Sequence, residues 1–349
     1  MRKRRWIAAI AAAALLAGAC SNDSDDTEAS GDTGAEEPAD IEGGLDSEFF
    51  SQEEMDAQLA MRDMEPEGPA DAPWEQAIQP TWVDTAQYAK PGGGWNVCFS
   101  NAATDNPWRQ VGWTTMQAEV GLHPEIAEFT VLDAEASDDK QISDIESLAG
   151  QGCDALIVSP NTTATLTPAV EEACATGIPV IVFDRGVNTD CPVTFIKPIG
   201  GYAFGADAAE FLVDNVDSGG KILALRILPG VDVLETRFAG AQQIFEENGI
   251  ELVGAEFTEG DAANTKSIVA DYIAREGGLD GIWMDAGATA VAAIEAFEDE
   301  GLDVPPITGE DQQDFLQKWS DDDLTAVAPT YPTYQWRTPV IAAVKILNG

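Results

Sequence analysis

Asp184 and Arg185 stand side by side at the end of the apolar run Val180-Ile181-Val182-Phe183, and Gly186 follows them. A carboxylate that accepts next to a guanidinium that donates in a fixed fork can hold vicinal hydroxyls, which is the chemistry of polyol binding. The same two residues would serve equally as an aspartate capping the next element with an arginine beside it, so position alone leaves both readings open. Other chemistry is poorly supplied. The single histidine, His123, lies in Leu122-His123-Pro124 at an expected helix end with no nucleophile beside it, and reads as a solvated loop residue. Gly150-Gln151-Gly152-Cys153-Asp154-Ala155 has the letters of a dinucleotide fingerprint, but it precedes a strand instead of following one and opening a helix. Paired carboxylates for glycoside hydrolysis discriminate nothing among 62 acidic residues. No Cys and His spacing suggests zinc. The expectation is no catalytic residue, no cofactor and no metal.

The run that carries Asp184 is short, continuous and apolar, which suits a parallel strand buried on both faces. In an open α/β sheet the carboxyl ends of such strands face the ligand crevice, so Asp184 and Arg185 fall where a ligand would lie. Four cysteines follow Cys20, and an even number in an exported chain favours disulfides. Cys174 and Cys191 flank this strand closely enough to join its loop. Cys98 and Cys153 fall in or beside strands that would be neighbours, where a bridge and two buried thiols are both open.

The wider pattern is an alternation of short apolar runs with helix-length amphipathic segments, which begins after Pro91-Gly92-Gly93-Gly94 and predicts parallel sheets. Strands are expected over 96–100, 129–133, 155–159, 180–184 and 193–197, with helices over 108–120, 138–150 and 165–176. The alternation then resumes from Tyr202 to Thr308, so the economical reading is an α/β chain of two similar halves. A length of 349 residues and an apolar fraction of 44% suit two domains. The net charge of −44 disfavours nucleic acid and anionic lipid surfaces as partners.

Residues 1–20 read as a targeting segment: Arg2, Lys3, Arg4 and Arg5 precede an apolar stretch too short to span a bilayer, then small residues up to Cys20. Leu16-Ala17-Gly18-Ala19-Cys20 resembles the bacterial lipobox, which would make Cys20 a lipidated N-terminus. From Ser21 to Glu48 there are eleven acidic residues and no basic one, so 21–94 is expected to be an acidic disordered tether, with a possible short helix over 49–64 and a wrapping segment carrying Trp74, Ile78, Trp82 and Tyr88.

The run from Ser159 to Val187, S-P-N-T-T-A-T-L-T-P-A-V-E-E-A-C-A-T-G-I-P-V-I-V-F-D-R-G-V, resembles the ribose- and galactofuranose-type substrate-binding proteins of bacterial ABC importers, and the resemblance extends over 96–349. It implies the type I periplasmic binding protein fold: two Rossmann-like lobes with parallel sheets, 95–197 plus 331–349 and 198–330, joined by a hinge around a ligand cleft. The family pattern runs on from the helix that ends at Asn348-Gly349 to a last strand and a third hinge crossing. Carried over by motif, the ligand-binding positions are Asn106, Trp108 and Arg109 in Asn106-Pro107-Trp108-Arg109, the strand-end Asp184 and Arg185, Arg237 in P-G-V-D-V-L-E-T-R, Asp285 after a later strand, Asp311 in Gly309-Glu310-Asp311, and Thr330 at the hinge. Those residue types suit a sugar, with an aromatic face for C–H surface and charged groups for hydroxyls. The implied function is capture of a monosaccharide and delivery to an ABC permease by an exported monomer held at the outer face of the membrane by lipid alone. A sugar-sensing subunit for a chemoreceptor or histidine kinase is the first rival, and a secreted glycosidase the second. Sugar-responsive repressors share the fold, but they carry a DNA-binding helix pair where this chain has its leader and acidic stretch.

Overall fold

The computed structural model describes residues 41–62, 64–196 and 200–349. The leader over 1–20, with Cys20, and the acidic stretch over 21–40 lie outside the described residues.

The chain first forms helix α1 (Gln52–Met61), whose start is capped by the Ser51 hydroxyl accepting from the Glu54 amide. The first sheet follows, built from β1 (Trp95–Asn101), α2 (Pro107–Val120), β2 (Ile126–Asp133), α3 (Asp138–Gly150), β3 (Ala155–Ser159), α4 (Thr163–Ala175), β4 (Val180–Phe183) and β5 (Thr194–Ile196). Its strand order is β2-β1-β3-β4-β5 and the pairings are parallel. The second sheet repeats the plan with α5 (Tyr202–Asn215), β6 (Lys221–Arg226), α6 (Asp232–Asn248), β7 (Glu251–Phe257), α7 (Ala262–Glu276), β8 (Gly281–Met284), α8 (Gly287–Asp299), β9 (Ile307–Thr308), α9 (Gln313–Asp322) and β10 (Ala326–Val327), in the parallel order β10-β9-β8-β6-β7. The chain then crosses back, and α10 (Thr338–Asn348) buries Val340, Val344 and Leu347 in the core of the first lobe. This is the two-lobed α/β architecture expected. In each sheet the strand order reverses beside the first strand, which places a crevice at the carboxyl ends of β1, β3 and β4 in one lobe and of β6, β8 and β9 in the other.

Disulfides join Cys174 to Cys191 and Cys98 to Cys153. The first holds the end of α4 to the loop that follows Asp184 and Arg185, and the second holds β1 to the residue pair leading into β3.

Of the tether expected over 21–94, only the disorder is corrected from Ile41 onward: α1 falls inside the range 49–64 given for a short helix, and the stretch is docked on both lobes. On the second lobe the Gly44 amide donates to Glu235, the Leu45 amide to Gln242 and the Ser51 amide to the Tyr202 hydroxyl. Met55 is fully buried with Tyr202 and Ala239. On the first lobe Tyr88 joins the core, the Lys90 amide donates to the Leu347 carbonyl, and the Lys90 ammonium pairs with Asp154 at 2.6 Å. A few apolar anchors in an acidic background are sufficient to dock the segment, and average composition hides them. Trp82, in the same segment, is 90% exposed and does not lie against the body.

One contact in the second lobe reaches directly to the site. Helices α5 and α6 cross so closely that a Cβ on Gly205 would lie 1.7 Å from the Arg237 carbonyl oxygen. A Cβ on Gly240 would lie 2.4 Å from that of Tyr202. Gly205→Ala is therefore expected to push α6 away from α5 and lower stability by about 1–3 kcal/mol, read as a lower Tm in thermal unfolding. An unchanged Tm would mean that the crossing is not tight.

Candidate functional site

Asp184 is the hub of the first wall. It leaves β4 with φ 69°, in the left-handed region that aspartate enters more readily than most side chains. That turn aims its buried carboxylate at Arg109, whose Nη2 donates to Oδ2 at 3.0 Å, and at Tyr331, whose hydroxyl donates to Oδ1 at 2.9 Å. Arg109 is held in the first turn of α2: Pro107 starts the helix and the Asn106 side chain accepts from the Arg109 amide at 3.0 Å. Its Nη1 donates to the Ser159 hydroxyl at the end of β3. Arg185 donates to the Asn161 carbonyl, with its Nε 4.0 Å from Asp184. Burial, with the neighbouring Arg109 charge, pushes the Arg185 guanidinium down to about 10, against the pull of Asp184. Trp108 stacks on the Tyr331 ring, with centroids 5.2 Å apart and planes at 27°, and its indole N–H donates to the Tyr331 carbonyl at 2.8 Å.

Arg237, on α6, organises the opposite wall. Its Nε donates to the Gly200 carbonyl at 2.7 Å, and its Nη1 donates to the Asp285 carbonyl at 2.8 Å and to Glu310 Oε2 at 3.1 Å. The guanidinium also lies over the Phe204 and Tyr331 rings, 3.9 and 4.6 Å from their centroids. Gln312 donates to the other Glu310 oxygen at 3.0 Å. Asp285, after β8, is fully buried, and neither carboxylate oxygen has a hydrogen-bond partner among the described residues. Burial pushes its carboxyl up to about 7, while Arg237 and then Arg226 pull it back. Since the folded value lies above the usual 3.8, the native state holds a proton that the unfolded chain has released between about pH 4 and 7. The stabilisation this supplies is complete below about pH 4 and is lost as pH rises through 7. Asp285→Asn is expected to flatten that fall in a series of thermal melts from pH 4 to 8; an unchanged slope would assign it to other groups.

The walls meet along one edge. The Gly186 amide donates to both Asp232 oxygens at 3.0 and 2.9 Å, and the Asp232 amide donates to the Thr163 hydroxyl at 3.2 Å. These bonds join the loop after β4 and the start of α4 to the start of α6, so the lobes are closed on each other. A cavity of about 100 Å³ lies between them beside Asp184, Arg185 and Arg237, and a hollow of about 400 Å³ on the far side of Asp184 and Asp232 is lined by both lobes and by the segment around Ser51.

Asn106, Trp108, Arg109, Asp184, Arg185 and Arg237 line the cavity of about 100 Å³, with Asp285 enclosed beside the lining residue Ala286. Two other candidates are placed elsewhere. Asp311 accepts from the Tyr331 amide at 3.0 Å, and its neighbour Glu310 lines the cavity instead. Thr330 is exposed and lines a separate hollow on the hinge, whereas Tyr331, next in sequence, enters the cleft. Sequence reasoning missed several lining residues, among them the polar Thr289, Glu310, Gln312 and Tyr331; an aromatic beside the hinge Pro332 was the one signal for Tyr331. Among the described residues no group of three or more His, Cys, Asp and Glu could hold a metal ion.

A family model described as a periplasmic binding protein domain matches residues 97–349. The ribose import binding protein of Bacillus subtilis is 25% identical over 276 residues, which cover 76% of this chain and 88% of that protein. Among solved structures, the periplasmic binding component of the arabinose ABC transporter from Shewanella sp. ANA-3, bound to α- and β-L-arabinofuranose, is similar at TM-score 0.65 and 23% identity, covering 72% of this chain and 84% of that one. The myo-inositol binding protein of Caulobacter, bound to myo-inositol, is similar at TM-score 0.67 and 22% identity, covering 74% and 89%.

Proposed function

The chain belongs to the periplasmic binding protein family and has its type I fold, and from that premise we propose that it captures a monosaccharide or a sugar-sized polyol between its lobes and releases it to an ABC permease, with no reaction of its own. The observation that carries the reading is the pairing of a stacked aromatic floor, Trp108 on Tyr331, with charged walls from both lobes, Arg185 and Asp184 on one side and Arg237 and Glu310 on the other. A ring with C–H faces and hydroxyl edges needs both kinds of surface. The names of the relatives support the ligand class, since each describes a binder of a pentose or a cyclitol. Ligand that touches both walls favours the closed arrangement by its differential affinity, and that closed form is what a permease would read. The leader and Cys20 support export and a lipid anchor on the outer face of the membrane, with the protein acting as a monomer.

A thermal-shift screen of the full chain against D-ribose, L-arabinose, D-xylose, D-galactose and myo-inositol tests this. A ligand at a hundred times its Kd adds about 2.7 kcal/mol, or about 5 °C or more in Tm. A shift with one or more of these compounds and no product formed is the expected result, and no shift with any of them would overturn the assignment.

A further inference from the structure

Resting on that reading of the cleft, we infer that Tyr331 selects the ligand: its hydroxyl holds the place at Asp184 that a ligand hydroxyl would take, and its ring sets the depth of the cavity. Three observations carry this.

First, the strand-end carboxylate is already engaged within the protein. Asp184 Oδ1 accepts from the Tyr331 hydroxyl and Oδ2 from Arg109, so each oxygen has a protein donor before any ligand arrives. Burial, followed by the Asp184 charge, raises the Tyr331 phenol well above its usual value, so it stays a donor at every working pH. On the second lobe the situation is the reverse: both Asp285 oxygens are buried without a partner. Asp184 therefore offers a ligand only the acceptor capacity that its protein donors leave, and reading of ligand hydroxyls passes to the other wall.

Second, Tyr331 is locked in place rather than draped over the cleft. Its amide donates to Asp311, its carbonyl accepts from the Trp108 indole, and its ring packs against both that indole and the Arg237 guanidinium. The side chain is thus held by Asp184 and Trp108 of one lobe and Arg237 of the other, and the residue is only 5% exposed. It cannot swing aside without breaking a contact in each lobe.

Third, the cavity it floors is small. Its volume of about 100 Å³ falls well below the roughly 300 Å³ at the lower end for ligand pockets, and the Tyr331 ring is one of the large side chains that line it. The ligand class that follows is a single unsubstituted ring or a short polyol, with methyl glycosides and larger sugars excluded on the Tyr331 side.

The test measures Kd by calorimetric titration for D-ribose, L-arabinose, D-galactose, myo-inositol and the methyl glycosides of the three sugars, on the full chain and on Tyr331→Phe and Tyr331→Leu. Relative affinities, not absolute ones, are the readout, since a residue that only supports the fold would weaken every ligand in proportion. Tyr331→Phe, which keeps the ring and frees Asp184, is expected to change the affinity ratio of at least one pair of free sugars by tenfold or more. Tyr331→Leu is expected to narrow the gap between a sugar and its methyl glycoside by at least tenfold. If Tyr331→Leu does not fold, Tyr331→Phe decides the matter alone. Wild-type ratios in the variants that fold would overturn the role of Tyr331 while leaving the sugar reading intact. A wild-type chain that binds none of the seven probes would sink both.

Discussion

Arg237→Ala lowers the unfolding free energy by about 3–5 kcal/mol and abolishes ligand binding, the first read by denaturant or thermal unfolding and the second by calorimetry. Truncation leaves Glu310 buried with its charge unpaired, removes the donor to the Gly200 and Asp285 carbonyls, and takes a cation away from the Phe204 and Tyr331 rings. Breaking one side of a buried pair costs more than the pair itself is worth, because the desolvated partner remains. That asymmetry supplies a control. Arg237→Met combined with Glu310→Leu removes both charges and is expected to recover much of the lost stability without recovering affinity. A single variant that unfolds like the wild type would show that Glu310 is protonated or solvated, and the account of this wall would fail.

Reduction of the two disulfides has a comparable effect on stability. The Cys174–Cys191 bond closes a loop with a sequence separation of 17 and the Cys98–Cys153 bond one of 55, for which the chain-entropy relation gives about 3 and about 4 kcal/mol. Together these approach the whole net stability of an ordinary domain, about 5–15 kcal/mol. The first bond also holds the loop that carries Gly186, the donor that joins the lobes at Asp232. Cys174→Ser with Cys191→Ser is therefore expected to weaken ligand binding as well as lower Tm, whereas Cys98→Ser with Cys153→Ser lowers Tm with affinity retained. Equal losses of affinity in the two variants would contradict this division.

The sequence was legible where one strong pattern acts over several residues. The fully buried strand β3 and the capped helix α3 have the boundaries expected from periodicity, and the apolar run before Asp184 forms β4 with that residue just past its end. Strands of two residues, β9 and β10, have no period to detect, and the loops beyond them carry the two candidates whose neighbours enter the cleft. After β9, Glu310 and Asp311 are both acids, and only the turn decides which faces Arg237 and which the hinge. After β10, Thr330 is the more sugar-like residue by chemistry, but Tyr331 can fill the space beside Trp108 and satisfy Asp184. The docked segment before β1 was legible only as a short helix and a few apolar side chains: Met55 stands among Glu53, Glu54 and Asp56, and its burial, like the packing of Tyr88, depends on surfaces far away in sequence.

The central claim is that a polyol binds in the cleft between the lobes, and Arg185 tests it most directly. Its guanidinium lines the cavity, and among the described residues it donates to Asn161, in a loop, and lies 4.0 Å from Asp184. A calorimetric titration of the sugar that gives the largest thermal shift, into the wild type and into Arg185→Ala, should give one site per chain in the wild type. In the variant the affinity should fall at least a hundredfold, in line with loss of about 3 kcal/mol from charge-assisted hydrogen bonds. Equal affinity in the two proteins would place the ligand somewhere other than this cleft and contradict the account.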